Sequence, residues 1–122
     1  MNIPTLFLST VLAEKQKIGG FVMAKHQNDP AFEYLVHAIL TLQTPEECRH
    51  FLEDLCTESE LAEMSRRLRA ARMLKKSYIY SEIAEQTGLS TATISRVNRC
   101  LKYGNDGYLT VLNRMEKEER RG

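Results

Sequence analysis

The sequence predicts an all-α fold, and three observations carry that prediction. Helix starts are clearly marked at Asp29-Pro30, Thr44-Pro45-Glu46-Glu47 and Thr57-Glu58-Ser59-Glu60. After each start, apolar residues recur at intervals of three and four, the repeat of one helix face. No useful length of chain alternates with period two, so a sheet has no support. Six helices are expected.

The first helix opens with Asp29 as cap and Pro30 at the first helical position. Its apolar residues are Phe32, Leu35, Val36, Ile39 and Leu40. The second opens at Thr44, with Glu47 at capping-box spacing, and carries Cys48, Phe51, Leu52, Leu55 and Cys56. The third opens at Thr57 with the same box and reaches about Lys76, with Leu61, Met64, Leu68, Ala71 and Leu74 on one side. Ser77-Tyr78 breaks it. A short helix covers roughly Ser81 to Thr87. Gly88 ends that helix, and Ser90 caps the next, which runs to about Tyr103. Gly104 and Gly107 bracket a turn. The last helix carries Tyr108, Val111, Leu112 and Met115. The domain spans residues 29–116, and residues 117–122 form a charged tail.

Residues 1–28 precede the domain as a leader, and residues 1–22 differ in texture from everything after them. Met23 begins an ordinary-looking start, and Ile18-Gly19-Gly20 just before it can be encoded by a purine run of the kind bacterial ribosomes bind. The expectation is a leader or mis-called start, with translation beginning at Met23. A genuine but poorly ordered tail is the alternative.

Composition bounds the rest. The chain has 122 residues, 43% of them hydrophobic, and a formal net charge of +1. That is one small globular domain rather than a disordered chain. No run is apolar enough for a membrane span. Cys48, Cys56 and Cys100 form no regular framework, which fits a reducing cytoplasm and small buried hydrophobes. His26, His37 and His50 stand at no metal-ligand spacing to cysteine, so no metal and no cofactor is expected. The chain contains no catalytic constellation, and an enzyme is not expected.

The informative stretch is Tyr80 to Val97. Ala84 is small, Gly88 follows four residues later, and Leu89, Ile94 and Val97 are apolar. An alanine that permits close approach, a glycine turn and these apolar offsets are the packing code of a helix-turn-helix. The residues left over are Ser90, Thr91, Ala92, Thr93, Ser95 and Arg96, with Arg99 further along. Short hydroxyls reach phosphates or base edges, and methyl groups touch thymine methyls. The competing reading is a solvated face on an ordinary helical hairpin. Upstream, Arg66, Arg69, Arg72 and Lys76 fall on one helical stripe, suited to phosphate contacts. Acidic residues gather elsewhere, from Glu46 to Glu63, making the chain electrostatically two-sided.

With these residues in view, Thr57 to Lys102 resembles the tryptophan repressor superfamily. The segment Ser90 to Tyr108 resembles the hallmark motif of its YerC/YecD branch in Firmicutes. The likeness covers roughly Phe32 to Met115. It implies an intertwined homodimer that reads a palindromic operator in double-stranded DNA, with half-sites about one helical turn apart. It also implies an effector pocket. Thr57, Arg67 and Arg96 match a threonine and two arginines that surround the repressor's tryptophan. The repressor's glycine after the recognition-helix arginine is Val97 here, and its serine three residues on is Cys100. Valine fills the space the indole would need, so L-tryptophan is not expected as ligand. Basic residues of the repressor's first motif helix become Ser81 and Ala84, so the operator need not be shared.

The expected function is therefore sequence-specific transcriptional regulation, with repression the leading form. Two alternatives stand: a helix-turn-helix scaffold that docks a protein, and a sensor of a small effector other than tryptophan.

Overall fold

The computed structural model describes residues 29–122, and the leader with its start at Met23 lies outside them. The described residues hold six α-helices and no strand: α1 (Pro30–Leu40), α2 (Pro45–Leu55), α3 (Glu58–Lys75), α4 (Tyr80–Thr87), α5 (Thr91–Tyr103) and α6 (Gly107–Arg121). They fall into two compact units, one ending at Leu52 and one running from Glu53 to Gly122.

The helix starts follow from the caps. Asp29 Oδ1 accepts a hydrogen bond from the Ala31 N–H at 2.9 Å, with Pro30 at the first position. At Thr57 the capping box is complete. Its hydroxyl accepts from the Glu60 N–H at 3.1 Å, and the Glu60 carboxylate accepts from the Thr57 N–H at 2.8 Å. The bond from the Thr57 N–H, first, and the neighbouring Thr57 hydroxyl, second, hold the Glu60 carboxyl below its usual range. The Thr44 start differs in one bond. Its hydroxyl accepts from the Glu47 N–H at 3.1 Å, but Glu47 reaches back to the Gln43 N–H instead, also at 3.1 Å.

In the first unit, α1 buries only His37. Phe32, Tyr34, Ile39 and Leu40 are exposed, Leu40 by 64%. α2 buries no residue at all. Both helices thus carry apolar residues left uncovered among the described residues.

The second unit has the core. Ala70, Ala71, Met73, Ile83, Leu89, Ile94, Val97 and Leu112 pack together, with Leu74, Tyr80, Ala84 and Tyr108 against them. This corrects the face expected for α3. Ala70, Ala71 and Met73 are its buried residues, whereas Met64 and Leu68 are exposed. The reason is position. Only the C-terminal half of α3 lies among the core residues, and two alanines there admit other helices closely. The cysteines are corrected as well: Cys48 and Cys56 are half-buried and Cys100 is exposed. Cys100 lies about 90° round α5 from the core stripe of Ile94, Val97 and Leu101, on the flank of the helix rather than in that core. Residues 117–121 are helical, a direct continuation of α6.

Candidate nucleic-acid interface

The helix-turn-helix is built as its residues dictate. Gly88 caps α4 at φ +74°, a left-handed conformation that a side chain would strain. Thr87, not anticipated from the sequence, completes the turn from within. Its buried hydroxyl donates to the Ile83 carbonyl at 2.7 Å and accepts from the Leu89 N–H at 3.2 Å. The turn's backbone is thereby satisfied internally, as a buried N–H requires. Ser90 then starts α5, accepting from the Thr93 N–H at 3.1 Å.

Inward, α5 is held by Ile94 (fully buried), Val97 and Leu101. Outward, helical geometry collects Ala92, Ser95, Arg96, Arg99 and Tyr103 within an arc of about 100°. Ala92, Arg96 and Arg99 are exposed and Ser95 is half-buried. Tyr103, which sequence reasoning passed over, is 84% exposed on the same stripe. Its spacing of four from Arg99 and seven from Arg96 was the available signal. Thr91 is exposed at the first helical position. The Ser90 and Thr93 hydroxyls are occupied with each other at 3.0 Å. Of the sequence-predicted residues, Thr91, Ala92, Arg96 and Arg99 therefore stand freest to meet a ligand.

The basic stripe on α3 is more engaged than its sequence suggests. The Arg69 guanidinium donates to the Gln86 carbonyl at 3.1 Å and to its side-chain oxygen at 3.3 Å, tying α3 to α4. Arg72 pairs with Glu119 at 3.3 Å, and Lys75 with Glu116 at 2.7 Å. Lys76, Arg96 and Arg99 have no ion pair among the described residues. Arg69, Arg72 and Lys76 nonetheless line one shallow depression of about 160 Å³ with Tyr78 and Gln86.

The candidate effector residues are not brought together. Thr57 and Arg67 are ten residues apart on α3, about 15 Å along the axis. Thr57 is committed to its cap. Arg67 is half-buried, and its Nε is buried with no hydrogen-bond partner. Val97 lies in the core at 2% exposure. Cys100 instead faces an open groove of about 370 Å³ lined by Gly104, Asn105, Gly107, Tyr108 and Val111. The described residues hold no cluster of metal-ligating side chains. No helix among them is long and apolar enough to cross a membrane.

Fold and site together define an all-α helix-turn-helix protein. The chain belongs to the Trp repressor protein family, whose model matches residues 31–116. That family is one of regulators rather than enzymes. Among relatives, the chain is similar to an uncharacterized protein, YerC, of Bacillus subtilis (strain 168). The two are 48% identical over 87 residues, 71% of this chain and 84% of that one. Among solved structures it is similar to a candidate Trp repressor from Staphylococcus aureus. There the TM-score is 0.72 at 45% identity, covering 78% of this chain and 95% of the other. A TrpR-like protein from Eubacterium eligens ATCC 27750 gives 0.71 at 48% identity, over 75% and 95%.

Proposed function

We propose that the protein is a sequence-specific DNA-binding transcription regulator acting as a repressor, with α5 as the recognition helix. The observation that carries this reading is the division of α5 into two faces. Ile94, Val97 and Leu101 anchor it in the core. Ala92, Arg96 and Arg99 remain outside, the mix of small methyl and bidentate guanidinium groups that suits a major groove. Lys76, Arg69 and Arg72 flank it as phosphate contacts. Titration of a random duplex over a range of salt tests the reading. Affinity should fall steeply as salt rises. A protein-docking module would show negligible binding at any salt.

The regulator acts as a homodimer on a palindromic site. Support comes from apolar surface that one chain leaves uncovered: Phe32, Ile39, Leu40, Leu55, Met64, Val111 and Met115 are each more than two-fifths or about two-fifths exposed. Sedimentation at micromolar concentration should give a dimer, and a folded 14.0 kDa species would remove this part of the account.

A further inference from the structure

The ion pairs on α3 have a regular geometry. Glu116 and Glu119 are three residues apart on α6, and Lys75 and Arg72 are three apart on α3. They form two rungs between antiparallel helices, at 2.7 and 3.3 Å. The stripe on α6 that bears both carboxylates also bears Leu112, which is 2% exposed in the core. The backbone that bears the carboxylates is therefore held in place by packing and not only by their own attraction. The Lys75–Glu116 rung is the more sheltered, with side chains 24% and 27% exposed, against 46% and 53% for Arg72–Glu119. Arg72 also lines the basic depression with Arg69 and Lys76. Arg72, which lines the depression, and Lys75, one turn along α3, thus already hold carboxylate oxygens, which offer the same acceptor chemistry as phosphate.

We propose that Glu116 and Glu119 compete with nucleic-acid phosphate for Lys75 and Arg72, so that α6 restrains sequence-independent binding to duplex DNA. The inference rests on the DNA-binding reading above and adds its regulation. Contacts to phosphate carry no sequence information but supply most non-specific affinity. Carboxylates that occupy these cations weaken binding to every duplex alike and leave the α5 contacts to bases untouched. The share of bulk duplex occupied at a given protein concentration falls accordingly. The Lys75 ammonium, by hydrogen bonding first, keeps the Glu116 carboxyl below its usual range, so the competitor stays ionised wherever DNA would be bound.

The test is equilibrium binding of the full chain to a random-sequence duplex between about 50 and 200 mM salt. Glu116→Gln with Glu119→Gln is compared with Glu118→Gln. That control removes a charge from the same helix at a residue with no ion pair among the described residues. The double variant should bind about tenfold tighter than the control at the low end. Its plot of log affinity against log salt should be steeper by about 1 to 2. The single Glu119→Gln change, at the exposed rung, should give part of the gain without touching the sheltered one. Placed on an Arg72→Ala, Lys75→Ala background, the gain should vanish. Equal gains in Glu118→Gln, or gains that survive loss of Arg72 and Lys75, would overturn the inference while native binding upheld the DNA-binding reading. No binding by any form at any salt would remove both.

Discussion

Arg96→Ala should lower affinity for the preferred DNA sequence by roughly 1–3 kcal/mol, and relax the choice of base at one position of each half-site. The argument is positional. Arg96 is exposed on the outward arc of α5, one residue before Val97, which is fixed in the core. Its base is thus rigid while its guanidinium is free, the combination that bidentate recognition of a guanine edge requires. Arg72→Ala serves as the contrast, because it should weaken all duplexes alike. Competition binding against a panel of single-base operator variants reads both effects. If Arg72→Ala changed sequence preference and Arg96→Ala did not, the roles assigned to α3 and α5 would be reversed.

The second large effect concerns Val97. Free L-tryptophan should not bind the native protein usefully, although Thr57, Arg67 and Arg96 supply a hydroxyl and two guanidinium groups. An indole gains affinity mainly by burying its ring, which needs a slot of matching shape. Val97 is buried in the core with Ala70, Ala71, Met73, Ile83 and Ile94, and cannot swing away to make one. Val97→Gly should open the slot. It should also lower stability by about 3–4 kcal/mol, from the lost isopropyl group and a glycine within a helix. Calorimetry at millimolar tryptophan together with thermal melting measures both. Tight binding by the native protein would contradict the account, and binding gained only by the glycine variant would place the block at Val97.

Much of the fold was legible in the sequence because its signals are local. Asp29-Pro30 and Thr57-x-x-Glu60 mark helix starts through bonds made within three residues, and these form as expected. Gly88 announces its left-handed turn because little else adopts that backbone without strain. What was not legible depends on which helices meet. Periodicity places Met64, Leu68 and Ala71 on one face of α3 but cannot say which half of the helix finds a neighbour. The pairing of Arg72 on the basic stripe, and of neighbouring Lys75, was hidden because their carboxylate partners lie more than forty residues away, on α6. Tyr103 was passed over because a tyrosine near a helix end ordinarily signals packing. Here the stripe it shares with Arg96 and Arg99 faces away from the core.

Selection of bound sequences from a random duplex pool, followed by footprinting on the winners, tests the central claim most directly. The account predicts enrichment of a two-fold symmetric site with half-sites about one helical turn apart. Protection should fall in the major groove of each half, and should weaken at one base pair per half-site in the Arg96→Ala variant. Recovery of no common sequence, with binding that does not change as salt rises, would contradict it.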